Sequence, residues 1–451
     1  MNRIRLVVAA GAVAGLGALS AACRDEPVAP TQATVAATLD QASERVPDVD
    51  GARIINSHRG VLRGDIVHYT YDVALGPGQF DVIRLHRVVR ERRPHAPVET
   101  EEAVFLLPGN PNAFVQIFME PQISSVIPWD QSVAAFLAEN DIDVWGMDYA
   151  WALVPAGTAD FGFMRGWGLQ KEIRFAEKAL SVARSVRASS GEKDGRLPVL
   201  GYSYGVYLAY AIAGDETQEP ARERSVKGLI PVDEWLLTND ETQIAAGCAA
   251  LPDLQSLVAS GVYQDETGIF LKEVGDLART APGDVSQFYP PLTNLQFALF
   301  VGASGNQHFV GGYFDQSGNP TGLRYTDPRL WVDLLRAVPP YAAPTQVGVD
   351  LDSLECNRFD YHLHEVTVPI LYIGAAGGLS GRLGYYNATI TASRDVTKFT
   401  VQLLPDDQVA YDFGHADLFT ARDAQRLVWQ PILNWLLAHR SDRAYATGNG
   451  R

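Results

Sequence analysis

A serine between two glycines, placed where an apolar run meets a helix-forming run, is the feature that most constrains the fold of this chain. Residues 201–205 read Gly-Tyr-Ser-Tyr-Gly, with the apolar run at 197–200 and the helix-forming run at 206–213. The pattern predicts a strand, a tight turn with Ser203 at its apex, and a helix, because such a turn leaves no room for larger side chains. The helix N-terminus would favour the negative charge of an oxyanion beside Ser203. The alternative is that the pattern is only a glycine-rich strand–helix turn, in which Ser203 has no catalytic role.

The motif resembles the nucleophile elbow of the α/β-hydrolase superfamily, in which the chain order is Ser, then acid, then His. That resemblance implies a histidine after the last strand, which we predict at 398–404. His415 follows in a Gly-His-Ala-Asp-Leu-Phe run that resembles the histidine loop of lipases and esterases, and a helix is predicted from Ala421 to His439. His415 would then act as the general base for Ser203. In a purely structural role it would cap that helix or bond to backbone.

The resemblance also implies an oxyanion hole after an early strand. An apolar strand is predicted at 103–107, and the turn at 108–112 looks like the His-Gly-x-Pro turn of the superfamily, with Pro108 where His is common. The expected donors are the backbone N–H groups of Asn110 and of Tyr204, the residue after the nucleophile. A plain Pro/Gly/Asn turn is the alternative.

The acid departs from the commonest superfamily pattern. The predicted seventh strand, 368–374, is followed by no carboxylate before Asp395, although an aspartate is usual there. The predicted sixth strand, 226–232, ends in Asp233 and Glu234, and some superfamily members carry the acid at that place. Asp233 is the predicted acid and Glu234 the alternative, because adjacent residues at a strand end point to opposite faces. Both could instead be solvated loop carboxylates.

The long interval between these two strands predicts a separate structural unit. Residues 235–364 are too many for a loop, and the superfamily commonly inserts a cap here. We predict a largely helical cap with helices at 251–262 and 270–279, whose aromatic residues either cover a substrate cleft or form the cap's own core. Residues 51–234 and 365–445 are predicted to form the α/β core, a doubly wound, mostly parallel sheet that opens with an antiparallel hairpin at 66–75 and 80–89.

The N-terminus predicts export. Residues 1–23 begin with basic side chains, continue as an uncharged apolar run and end at Cys23, which resembles a bacterial lipoprotein signal with Cys23 lipidated. Residues 24–50 are predicted to be a flexible tether between the lipid and the folded domain. The protein would then be anchored to the membrane, whereas ordinary cleavage near Ala22 would leave it secreted. In an oxidising compartment Cys248 and Cys356 are expected to pair, and two unpaired thiols are the alternative.

Charge and composition narrow the function further. A net charge of −16 argues against nucleic-acid binding and against attachment to anionic lipid through basic residues. No Cys/His cluster has the spacing of a metal site, and we expect no cofactor. The sequence therefore predicts an exported serine hydrolase that acts on small-molecule carboxylic esters, with an apolar acyl or aromatic group, through an acyl-enzyme. A peptidase or amidase of the same fold, or a binding protein without turnover, remain the alternatives.

Overall fold

The computed structural model describes residues 51–440, with the exception of 95–97, 99, 192–194, 306 and 382. The expected signal with Cys23, the tether at 24–50 and the last predicted core residues, 441–445, lie outside the described residues. Lipidation and export therefore stay predictions. Within the described part of the chain, no helix is both long enough and apolar enough to cross a membrane.

A twisted sheet of nine strands forms the centre of the described structure, and a small separate hairpin adds two more. The strands are β1 (Arg53–Arg63), β2 (Ile66–Ala74), β3 (Val82–Arg90), β4 (Glu102–Leu107), β5 (Ile142–Asp148), β6 (Leu197–Tyr202), β7 (Val226–Val232), β8 (Gly312–Phe314), β9 (Pro320–Leu323), β10 (Ile370–Ala375) and β11 (Val396–Val401). The order in the large sheet is β1-β2-β3-β5-β4-β6-β7-β10-β11. β1, β2 and β3 pair antiparallel, and β3 is antiparallel to β5. The remaining neighbours in the large sheet, which are β5, β4, β6, β7, β10 and β11, are parallel to one another.

Helices cover both faces of the sheet and build the cap. They are α1 (Phe114–Phe118), α2 (Val133–Glu139), α3 (Leu169–Ser189), α4 (Tyr204–Asp215), α5 (Glu241–Ala259), α6 (Thr267–Thr280), α7 (Asn294–Ala303), α8 (Pro328–Ala337), α9 (Thr345–Asn357), α10 (Tyr385–Thr389), α11 (Asp417–Thr420) and α12 (Gln430–Ala438). Helices α5 to α9 and the β8–β9 hairpin lie in the cap, which we define as residues 235–364. The predicted fold class, a mostly parallel sheet with a largely helical cap between two of its strands, is confirmed.

The apolar runs of the central strands reflect burial on both faces of the sheet. Every residue of β4 and β6 is buried. Phe105 and Val199 pack in one apolar layer with α3 and α4, whereas Leu106 and Leu200 pack in the other layer with α1, α2 and α12. Strands that are covered on both sides need continuous apolar sequence, which is why these apolar runs predict strands correctly.

Three elements differ from the sequence-based expectations. Strand β1 was not predicted, because most of its residues are exposed and its sequence lacks clear alternation. With β1 and the cap strands β8 and β9 counted, the predicted sixth and seventh strands are β7 and β10. Helix α5 begins ten residues before the predicted 251, where the Asp240 side chain caps it by accepting from two backbone N–H groups. The single helix predicted from Ala421 to His439 is a π-helical turn, Gln425–Trp429, followed by α12. Pro431 at the start of α12 has no N–H to donate to the preceding turn, which interrupts the regular pattern.

A disulfide joins two helices of the cap. Cys248 on α5 and Cys356 on α9 have Cα atoms 5.5 Å apart and are separated by 108 positions along the chain. The bond therefore closes a long loop within the cap and restricts the unfolded chain.

Loss of this disulfide is expected to destabilise the protein. In the chain-entropy model, replacing both cysteines by serine should lower the free energy of unfolding by up to about 4–5 kcal/mol. Urea denaturation would measure the change, and reduction of the unaltered protein with dithiothreitol should reproduce it. Unfolding curves that are the same with and without reductant would contradict this prediction.

Candidate active site

The turn at Ser203 is an elbow that only glycine permits on either side. Ser203 has φ 53° and ψ −125°, and it is the residue before the first turn of α4. A Cβ on Gly201 would overlap the carbonyl of Gly205, and a Cβ on Gly205 would overlap the carbonyl of Leu107 on β4. The Ser203 N–H donates to the carbonyl of Val232 at 3.1 Å. The close approach of three strands and a helix thus holds Ser203 in a left-handed conformation that is strained for a residue with a side chain.

The structure brings His415 and Asp233 together. Nδ1 of His415 lies 2.8 Å from Oδ2 of Asp233, and both side chains are almost completely buried, with exposed fractions of 1% and 0%. Asp233 follows β7, and its backbone N–H donates to the carbonyl of Ile373 on β10 at 2.8 Å. A carboxylate bonded to Nδ1 holds the proton there and leaves Nε2 free to act as a base.

The loop after β10, which has no carboxylate of its own, binds the carboxylate of Asp233. Oδ1 of Asp233 accepts from the Ala375 N–H at 3.1 Å and the Ser380 hydroxyl at 2.8 Å, and Oδ2 accepts from the Leu379 N–H at 3.0 Å. We call residues 375–380 the cradle loop. The Tyr372 hydroxyl lies 2.8 Å from Oγ of Ser380 and extends the network. Sequence reasoning missed these donors; the small residues of the loop were the only signal for them.

Gly378 is predicted to be essential to this arrangement. A Cβ at this position would overlap Oδ2 of Asp233, the atom that accepts from His415. We expect Gly378→Ala to push the carboxylate away and to lower kcat for the reaction proposed below by at least about tenfold, because a misplaced orienting group misplaces the base. The matched control is Gly283→Ala, where a Cβ meets no atom within 4 Å. Steady-state kinetics of both variants would measure the effect, and equal activities would contradict it.

Glu234, the alternative acid, points elsewhere. Its side chain is 2% exposed, and Oε1 accepts from the Trp235 N–H at 3.1 Å. In the described structure Glu234 makes no hydrogen bond to His415. Burial, with the charge of Asp233 beside it, raises the pKa of Glu234 well above its usual range. The raised pKa favours the protonated, uncharged form of Glu234, which lacks the charge that would stabilise an imidazolium.

Aromatic rings hold the imidazole of His415 beside the elbow. The ring of Tyr202, the residue before Ser203, stacks on the imidazole with centroids 4.4 Å apart, and Phe309 of the cap meets it edge to face at 5.9 Å. Nε2 of His415 is buried and has no hydrogen-bond partner among the described residues. Hydrogen bonds between base and nucleophile often shorten only when substrate is bound. Nε2 is thus the nitrogen left for the hydroxyl of Ser203.

The turn at 108–112 lies directly against Ser203. A Cβ on Gly109 would be 2.8 Å from Cβ of Ser203 and 3.2 Å from its Oγ. The N–H of Tyr204, as the first residue of α4, has no intrahelical acceptor and is available to an oxyanion. The side chain of Asn110 is engaged in another contact: its Oδ1 accepts from the Ala343 N–H of the cap at 2.8 Å. This contact uses only an acceptor of Asn110, so its backbone N–H and its side-chain NH₂ group remain as donors, and it ties the turn to the cap.

The cap covers this site, and Ser203 is only 8% exposed. Among the residues that the structure describes, no group of three or more His, Cys, Asp or Glu side chains is arranged to hold a metal ion. The polar groups brought together are thus a hydroxyl, an imidazole, a carboxylate and backbone donors. These groups suffice for nucleophilic attack with general-base assistance.

Comparison with known proteins identifies the architecture. No protein-family model matches the chain, and no curated protein matches its sequence. The structure is similar to that of a "putative lipase" from Sulfolobus solfataricus, with a TM-score of 0.59 and 17% sequence identity over 83% of this chain and 95% of that one.

The chain has the α/β-hydrolase fold. Two looser matches add nothing to this assignment: a soluble variant of monoglyceride lipase from Saccharomyces cerevisiae (TM-score 0.42, 11% identity, 81% of this chain and 94% of that one) and a thermophilic esterase from Thermogutta terrifontis (TM-score 0.41, 12% identity, 82% and 99%).

The predicted acid and the groups that bind it lie at two neighbouring strand ends of this sheet. The strand that usually precedes the acid corresponds to β10, and its loop carries hydrogen-bond donors here. Asp233, the predicted acid, stands at the end of β7, which pairs with β10 in parallel, with Val232 opposite Ile373. Because parallel neighbours end at the same edge of the sheet, either strand end can reach the same imidazole.

Proposed function

We propose that the protein is a serine hydrolase that cleaves carboxylic esters through an acyl-enzyme. The observation that carries the proposal is the 2.8 Å contact between His415 Nδ1 and a fully buried, hydrogen-bonded Asp233, next to a serine held on a glycine-flanked elbow. An imidazole oriented by a carboxylate beside an activated hydroxyl supports nucleophilic acyl transfer.

The mechanism follows from the roles of these groups. Nε2 of His415 takes the proton of the Ser203 hydroxyl as Oγ attacks the ester carbonyl, and the backbone N–H groups of Tyr204 and Asn110 stabilise the oxyanion. The imidazolium, stabilised by Asp233, then gives that proton to the departing alcohol, which leaves Ser203 acylated. Water attacks the acyl group with His415 again as base, and the acid product leaves with the serine hydroxyl restored.

Aromatic and apolar side chains around the imidazole support an ester with an apolar acyl or aromatic group. Phe309 contacts the ring of His415 and lies near Trp331 in the cap, with centroids 6.4 Å apart. Surfaces of this kind bind apolar ligand groups through area burial and ring contacts.

A fluorophosphonate probe and a substrate panel test the proposal together. We expect the probe to label Ser203 and p-nitrophenyl esters of varied acyl length to be hydrolysed much faster than matched peptide or anilide amides. Faster cleavage of the amides would make the protein an amidase or peptidase. Absence of both labelling and hydrolysis would overturn the enzyme assignment and favour a binding protein that keeps the fold.

A further inference from the structure

Asp417, two residues after His415, binds both the loop of that histidine and the cap. Its carboxyl is fully buried, with Oδ2 accepting from the N–H of Gly414 at 2.9 Å and the N–H of Gly311 at 2.7 Å. Oδ1 accepts from the hydroxyl of Thr326 at 2.6 Å. Gly414 precedes His415, whereas Gly311 and Thr326 flank the β8–β9 hairpin of the cap. One carboxylate thus joins two cap segments to the residue before the proposed base.

The backbone around His415 is joined to the same part of the cap. The His415 N–H donates to the carbonyl of His308 at 3.0 Å, and the Ala416 N–H donates to that of Phe309 at 2.6 Å. A Cβ on Gly414 would lie 2.6 Å from the carbonyl carbon of Phe309, so the two segments are in close contact. The main chain of the histidine loop (residues 412–419) is therefore hydrogen-bonded to the cap at His415 and Ala416, and to the core at Phe413, whose carbonyl accepts from the Gly377 N–H at 2.9 Å.

The imidazole itself is held by the core, through Asp233. His415 consequently lies where core and cap meet: its Nδ1 is bound by Asp233 of the core, and its own backbone N–H is bound by His308 of the cap. A shift of the cap segments relative to the core would move Nδ1 away from Asp233 and Nε2 away from Ser203. An error of about 1 Å in such a position can cost on the order of 100-fold in rate.

We propose that Asp417 is a positioning residue that couples the cap to His415 and keeps the imidazole in register with Asp233 and Ser203. The role rests on the function proposed above, because it concerns the geometry of that base. Without the carboxylate, the N–H groups of Gly311 and Gly414 lose their acceptor, and the hydroxyl of Thr326 keeps only its contact with Oγ1 of Thr420 at 2.7 Å. The tie that Asp417 makes between the histidine loop and the hairpin is then lost.

The test compares Asp417→Asn with a control that breaks a cap–core hydrogen bond elsewhere. Asp333 on α8 accepts from the Ser124 hydroxyl of the core at 2.7 Å and does not touch the histidine loop. In the full chain, Asp417→Asn should lower kcat for a p-nitrophenyl ester by about 10- to 100-fold and change KM by less than about threefold, whereas Asp333→Asn should leave kcat close to that of the unaltered protein.

A second pair of variants examines one donor at a time. Thr326→Val removes one hydrogen bond from Asp417, together with the contact between Oγ1 of Thr326 and Oγ1 of Thr420, and should lower kcat by about 3- to 10-fold. Thr326→Ser keeps the hydroxyl and should restore most of the activity. If Asp417→Asn does not fold, the comparison of these two variants alone tests the role of Asp417.

Hydrogen–deuterium exchange gives a readout that does not depend on catalysis. In Asp417→Asn, amides in 308–311 and in 413–416 should exchange faster together; in Asp333→Asn they should not. Equal kcat losses in the two variants, a loss confined to KM, or unchanged exchange in both segments would overturn the coupling. If the unaltered protein neither hydrolyses esters nor reacts with the fluorophosphonate, the proposed function fails. The coupling is then judged from exchange alone: faster exchange in both segments of Asp417→Asn supports it, and unchanged exchange contradicts it.

Discussion

Replacing Ser203 by alanine is expected to lower kcat for ester hydrolysis by about 10⁴-fold or more while leaving the fold intact. The reason is that the variant removes the only oxygen on the elbow that can form the acyl-enzyme, whereas the glycine contacts that shape the turn remain. Steady-state kinetics with a p-nitrophenyl ester would measure the loss, and labelling by a fluorophosphonate should disappear in parallel.

Ser190→Ala is the matched control for this variant. Ser190 is another buried serine, at the end of α3, and its hydroxyl donates to the carbonyl of Val186 at 3.2 Å. It lies outside the site, so its loss should leave kcat within about twofold of the unaltered protein. Near-normal turnover in Ser203→Ala would remove the nucleophile from the proposed mechanism.

Replacing Asp233 by asparagine is expected to lower kcat by about 10²–10⁴-fold. The amide keeps the size of the side chain but loses the charge that stabilises the imidazolium. Its NH₂ group would also meet donors that now converge on the carboxylate. In the place of Oδ2 it would face Nδ1–H of His415 and the N–H of Leu379, and in the place of Oδ1 it would face the N–H of Ala375 and the hydroxyl of Ser380. The variant therefore favours the wrong tautomer or orientation of the base.

Glu234→Gln is the sharpest comparison, because it changes the neighbouring residue in the same way. Burial raises the pKa of Glu234 well above its usual range, which favours the uncharged form of the side chain. Glutamine is nearly isosteric with that neutral acid, and we expect a much smaller loss of kcat than in Asp233→Asn. A reversal of the two effects would assign the orienting role to Glu234, and unchanged kcat in both variants would mean that His415 works without either.

Much of the site was predictable because its signals are local in sequence. The apolar run at 197–200, the glycines around Ser203 and the following helix-forming residues together specify an elbow. The position of His415 after the last strand and the carboxylates at the end of β7 follow from chain order and strand ends. Buried parallel strands can also be predicted from local sequence, because burial on both faces requires a continuous apolar run.

The sequence by itself determined the fold class, the elbow and a short choice of partners for it. Only the tertiary structure placed Asp233 rather than Glu234 against His415, supplied the cradle loop and joined the histidine loop to the cap. Ser380 is 147 positions from the carboxylate it binds, and Gly311 is 106 positions from Asp417. Such contacts depend on which strands become neighbours and on how the cap packs on the core. Residue patterns that determine local conformation predict neither of these.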